Sequence, residues 1–93
     1  MRVKVRLLQP FKGMVEKGEM AVELGRGTVD DALRTVCTKH TVLAEDMLDA
    51  EGRVSDAVSV ILNDRPLASV LEYRETRLKD GDEIVVFRPI SGG

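Results

Sequence analysis

Reactive chemistry in this sequence gathers at its end, where Phe87-Arg88-Pro89-Ile90-Ser91-Gly92-Gly93 closes the chain. Such an end offers a single reactive group, the terminal α-carboxylate. With a pKa of about 3.5 it is ionised and nucleophilic at neutral pH. Neither Gly92 nor Gly93 has a Cβ, so an arm ending in them is thin enough to enter a narrow channel and free to bend at an active site. A Gly-Gly pair by itself reads first as a frayed end. Its position argues otherwise, because it follows the most apolar strand of the chain, Ile84-Val85-Val86-Phe87, after only a short spacer. Pro89 cannot donate to a sheet ladder and confines Arg88 to extended conformations. Residues 1–88 are therefore expected to form one domain, and residues 89–93 an extended, flexible tail.

Other chemistry-bearing residues are sparse. The single cysteine, Cys37, excludes an internal disulfide, and its apolar neighbours Leu33 and Val36 suggest a buried, inert thiol. His40 is the single histidine, and with no cysteine pair beside it no metal site is expected. Glu45, Asp46, Asp49 and Glu51 lack a calcium-loop spacing and read as a solvated acidic face. A net charge of -2 speaks against nucleic acid as a partner. No apolar run approaches the roughly 20 residues that cross a bilayer. Arg2, Lys4 and Arg6 interrupt the start where a leader peptide needs an unbroken apolar core. A cytoplasmic protein, monomeric when free, is the expectation.

The elements that position the tail follow from periodicity. Val3, Val5 and Leu7 alternate with Arg2, Lys4 and Arg6, which predicts a half-buried strand and places Leu8 on its charged, outward face. Residues 9–17 read as a loop, after which Met20, Val22 and Leu24 alternate with Glu19, Ala21 and Glu23 in a second strand. Thr28 is a good N-cap, with Asp31 completing an approximate capping box, for a helix whose stripe is Val29, Ala32, Leu33, Val36 and Cys37. That helix is expected to end near Lys39-His40. Leu43, Met47 and Leu48 suggest a short helix, Glu51-Gly52-Arg53 a turn, and Ala57 to Leu62 a further strand ended by Asn63-Asp64. Leu67 to Leu71 is expected as a brief edge strand, Tyr73 to Leu78 as an irregular segment, and Leu78 as a core plug before the Asp80-Gly81-Asp82 turn.

Among the few compact solutions for this order, a right-handed crossover sets the last strand parallel to the first in the middle of the sheet. The fold class is then α+β, a ubiquitin-like β-grasp with a mixed sheet of four to five strands covered by one main helix. Alternation along the last strand turns Ile84 and Val86 toward the helix and Val85 and Phe87 outward, beside Leu8. Leu8 and Phe87, with Leu67, would make an exposed apolar patch rimmed by Arg6 and Arg88.

Nearly the whole length resembles the ubiquitin-like sulfur carriers of the ThiS/MoaD type. The matching pieces are Val3-Lys4-Val5-Arg6-Leu7-Leu8, Gly27-Thr28-Val29-Asp30-Asp31-Ala32-Leu33, Val60-Ile61-Leu62-Asn63, Leu78-Lys79-Asp80-Gly81-Asp82-Glu83-Ile84 and the seven closing residues. The length and the Phe-x-Pro-x-x-Gly-Gly ending most resemble the MoaD branch, the small subunit of molybdopterin synthase. Two departures stand out. Arg88 occupies the place of a first proline, and residues 41–55 are longer than in compact members, as in archaeal MoaD-like proteins and small protein modifiers.

The resemblance implies that Gly93 is adenylated and then converted to a thiocarboxylate, with Gly92 keeping the channel clear. Arg6, Leu8, Leu67, Phe87, Arg88, Pro89, Ile90 and Ser91 would meet partners. Those partners would be a ubiquitin-activating-type adenylating enzyme and a molybdopterin synthase large subunit, or alternatively target proteins conjugated through their lysines. Thiamin synthesis and tRNA thiolation are other pathways that use such carriers. No catalytic apparatus, metal or cofactor is implied in this chain, since ATP and magnesium belong to the activating enzyme.

Overall fold

The computed structural model describes residues 1–89. Strand β1 (Arg2–Leu7) buries Val3, Val5 and Leu7 and exposes Arg2, Lys4 and Arg6, as its strict alternation requires. It pairs antiparallel with β2 (Glu19–Glu23), Val3 opposite Val22 and Arg6 opposite Glu19. The connection is more ordered than the loop expected for residues 9–17. It forms two 3-10 turns, Phe11–Met14 and Glu16–Gly18, and inserts Phe11 fully into the core. A phenylalanine in a Pro- and Gly-containing stretch has no periodicity to announce that role.

The helix layer is led by α1 (Val29–Lys39). At its start the Thr28 hydroxyl accepts from the Asp31 N–H while the Asp31 carboxylate accepts from the Thr28 N–H, a complete capping box. Val29, Ala32, Leu33, Val36 and Cys37 are all buried against the sheet. Asp30 is buried as well, with Oδ1 accepting from the Val54 N–H at 3.2 Å and Oδ2 3.8 Å from Arg34. This pairing ties α1 to the segment after it. That segment runs through a 3-10 turn (Thr41–Leu43) into α2 (Ala44–Met47), then closes on itself where Leu48 bridges Val54. Leu43, Met47 and Val54 fill the core beneath it, and Leu48 lies just past the helix. The Cys37 thiol lies 3.5 Å from the Met47 sulfur, and burial pushes its pKa up to about 11.

Strand β3 (Ser59–Leu62) turns through Asn63 and Asp64, both at positive φ, into a two-residue edge strand β4 (Arg65–Pro66). The expected strand from Leu67 to Leu71 and the irregular segment to Leu78 are corrected here. Val70–Glu75 is a helix, α3, capped by Ser69, whose hydroxyl accepts from the Glu72 N–H at 3.4 Å. Glu72 reaches back to the Ala68 N–H at 3.3 Å, so Ser69 and Glu72 act as a capping pair at the spacing that announces a helix start. Tyr73 on α3 is buried and donates its hydroxyl to the Val58 carbonyl at 2.7 Å. Leu78 plugs the core as expected.

The last strand, β5 (Glu83–Phe87), completes the order β2-β1-β5-β3-β4. It runs parallel to β1 and antiparallel to β3, and Ile84 and Val86 are wholly buried. The sheet is therefore mixed and five-stranded, a ubiquitin-like β-grasp. Its entry is pinned on both sides. Asp80 Oδ1 accepts from the Arg2 N–H at 2.7 Å, and Asn63 donates to Asp82 at 2.9 Å while accepting from the Glu83 N–H at 2.9 Å. Gly81, at φ +87, supplies the turn conformation that a Cβ would strain. Among the described residues no helix is long and apolar enough to cross a membrane.

Tyr73→Phe leaves the buried Val58 carbonyl without its donor and should cost about 1–2 kcal/mol of unfolding free energy, read from denaturant melts. Burial also holds the Tyr73 phenol above its ordinary pKa, outweighing the Val60 backbone, which lowers it. Because the native pKa exceeds the unfolded one, this contribution is complete below about pH 10 and is lost as pH rises through the native value. Tyr73 is the single tyrosine. An alkaline absorbance titration should therefore show the native chain ionising at higher pH than the urea-unfolded chain.

Candidate functional site

The face of the sheet turned away from α1 carries the outward residues of every strand, and their registers assemble an apolar surface no single strand holds. In one row Glu19, Arg6, Val85, Ile61 and Pro66 stand side by side across all five strands. In the next, Phe87 lies opposite Ser59, and Leu8 follows β1 with its N–H bonded to the Val86 carbonyl at 2.9 Å. Leu8 is 39% exposed, and Ile61, Val85 and Phe87 are half-buried. Toward the opposite end the face becomes charged, with Lys4 3.7 Å from Glu19 and Arg2 3.7 Å from Glu23. Among the described residues Arg6 has no ion-pair partner, so its guanidinium borders the apolar rows as an open donor. The arrangement is a partly exposed apolar surface bordered by Arg6 and Glu19, suited to a protein partner.

Phe87 leads directly to the tail root. The Arg88 N–H donates to the Gln9 carbonyl at 3.2 Å, which carries β1–β5 pairing one step further. Pro89 has no N–H with which to continue it. Alternation turns the Arg88 side chain to the helix layer, where Nη1 donates to the Asp46 carbonyl at 3.2 Å and lies 3.6 Å from the Asp46 carboxylate. Gly92, Gly93, Ile90 and Ser91 fall outside the described residues.

Two expectations about the patch are corrected. Leu67 is only 7% exposed and belongs to the core, its N–H bonded to the Val60 carbonyl at 2.9 Å, so it is withdrawn from the exposed surface. Arg88 does not rim the apolar rows. It points to the other layer and is held by Asp46 of its own chain. Leu8, Phe87 and Arg6 do share the open face, and Pro89 lies at the tail root. Sequence reasoning missed Ile61, Pro66 and Asp46. The phase of Val60 and Leu62 could have shown Ile61 as outward, whereas Asp46 has no sequence signal because it meets Arg88 across 42 positions. The acidic residues of 45–51 do not converge. Asp46 turns to Arg88, while Asp49 accepts from the N–H groups of Glu51 and Arg53 at 2.8 and 3.0 Å.

Comparison with known proteins gives this geometry its relatives. Small archaeal modifier protein 3 of Haloferax volcanii is 30% identical over 94 residues, spanning all of both chains. The solution structure of small archaeal modifier protein 1 from Methanosarcina acetivorans superposes with a TM-score of 0.82 at 26% identity, covering 99% of this chain and 96% of that one. A chain from the protein–protein complex of subunits 1 and 2 of molybdopterin-converting factor from Helicobacter pylori shares the fold at a TM-score of 0.62, with 24% identity and full coverage of both chains. With residues 5–93 also matching the model of the ThiS family, this chain belongs to that family of ubiquitin-like β-grasp proteins.

Proposed function

We propose that this protein is a sulfur carrier whose arm, Pro89 to Gly93, is activated at the Gly93 carboxylate by a ubiquitin-activating-type enzyme. The observation that carries the reading is the continuity of one strand. β5 is anchored in the core by Ile84 and Val86, presents Val85 and Phe87 on the open face, and ends in the tail root. A partner gripping the apolar rows thereby receives the arm at a defined place.

In the proposed reaction a Gly93 carboxylate oxygen attacks the α-phosphate of ATP, pyrophosphate leaves, and an acyl-adenylate forms. Hydrosulfide, as the sulfide-level sulfur source, then attacks the carbonyl carbon, AMP departs with the bonding electron pair, and the acyl-adenylate becomes a thiocarboxylate. ATP and magnesium are held by the activating enzyme, and this chain supplies the scaffold, the docking face and an arm that Gly92 keeps slender. The acceptor in this reading is the large subunit of a molybdopterin synthase, by analogy with the two-subunit complex of the Helicobacter pylori relative. We place the carrier in the cytoplasm, where its activating enzyme and ATP are found.

A second reading is a ubiquitin-like modifier joined through Gly93 to lysines of target proteins. It is favoured by the full-length relative that is itself a small archaeal modifier protein. Both readings use the same activated terminus and part only at the acceptor.

Intact mass spectrometry after incubation with the activating enzyme, ATP and a sulfur source should show one oxygen replaced by sulfur, and deleting Gly93 should abolish it while the fold persists. Recovery of the terminus from cells chiefly as an isopeptide would favour the modifier. Full adenylation of the Gly93 deletion would defeat both. Phe87→Ala should weaken binding to the activating enzyme by about 2 kcal/mol, a hot-spot loss, with little change in thermal stability. A large stability loss with unchanged affinity would remove Phe87 from the docking face.

A further inference from the structure

The tail root is held in a way neither proposed reading requires. At Arg88 the chain is fastened from two layers at once. Its N–H bonds to the Gln9 carbonyl at 3.2 Å on the sheet side, and its guanidinium bonds to the Asp46 carbonyl at 3.2 Å on the helix side, with the carboxylate 3.6 Å away. Pro89 follows, with no N–H for a further bond and a fixed φ. Arg88 is thus held from both layers immediately before Pro89.

Asp46 is well placed to hold it. α2 is anchored beneath by the buried Leu43 and Met47, and the segment behind it is tied to α1 where Asp30 accepts from the Val54 N–H. We propose that Asp46 is a positioning residue: through Arg88 it fixes the tail root, and so the place from which the residues after Pro89 must reach the activating enzyme's channel. The segment 41–55 is then a bracket for the tail root. This rests on the proposed activation of the arm.

Fixing the root lowers the ordering needed on docking and leaves the bound arm's chemistry alone. The loss therefore falls on KM and not on kcat. Both side chains are roughly two-fifths exposed, at 41% and 42%, so the effect has the modest size of a surface pair. Asp46→Ala, which removes the carboxylate 3.6 Å from Arg88 and leaves the carbonyl acceptor in place, should raise KM for adenylation, read by pyrophosphate release with the activating enzyme and ATP, by about two- to five-fold at unchanged kcat. Asp46→Asn, which keeps the shape and removes the charge, should lie between. In an Arg88→Ala background, Asp46→Ala should add nothing, because Asp46 acts only through Arg88.

Wild-type KM for Asp46→Ala, a fall in kcat in its place, or additive effects in the double variant would overturn the proposal. Should the wild-type chain itself not be adenylated, the activation reading fails and the clasp is judged by NMR alone. Asp46→Ala should then lower the order parameters of the Arg88 amide and its Nε–H, and unchanged values would overturn it.

Discussion

One strand with main-chain partners on both edges governs this molecule. β5 bonds in parallel to β1 and antiparallel to β3, so every other element is arranged around a line of hydrogen bonds that only the last strand can complete. The side chains at its entry reinforce the ladder. Asp80, Asp82 and Asn63 use their oxygen and nitrogen atoms on backbone groups of β1, on one another and on Glu83, which closes the turn and sets the register. A slip by one residue would turn Ile84 and Val86 outward and drive Val85 and Phe87 into the core. Register here is therefore both a stability requirement and a recognition requirement.

The two faces of β5 divide those tasks. Ile84 and Val86, each contributing about 1.5–3 kcal/mol by leaving water, hold the strand to the helix layer. Val85 and Phe87 are half-exposed and align with Ile61 and Leu8 from neighbouring strands. Because the faces alternate residue by residue, the docking surface and the core share one backbone, and a partner that binds the open face addresses a rigid part of the molecule.

The segment between α1 and β3 joins this plan from the side. Its apolar residues Leu43, Met47 and Val54 extend the core, Asp30 fastens it to α1, and Asp46 meets Arg88 where β5 ends. An acidic run that reads as a solvated surface thus contains one carboxylate with a structural partner, Asp46, beside another, Asp49, whose bond from the Arg53 N–H holds it below the usual carboxylate range.

Much of this architecture was legible in one dimension. Alternation marked β1, β2 and the two faces of β5, and the Thr28–Asp31 box with its stripe marked α1, because these signals arise between residues a few positions apart. What only the tertiary structure decided were the partners distant in sequence: Phe11 in the core, Ile61 and Pro66 joining Val85 and Arg6 in one row, Leu67 drawn inward, and Arg88 turned to Asp46. Helix α3 lay between the two, its capping pair present in the sequence yet obscured by Leu67, Val70 and Leu71, which read as a short apolar strand. The physical reason is common to all of them. Local hydrogen bonding and periodicity are written along the chain, while burial and charge pairing depend on which strands become neighbours, and that is settled only when the last strand enters the sheet.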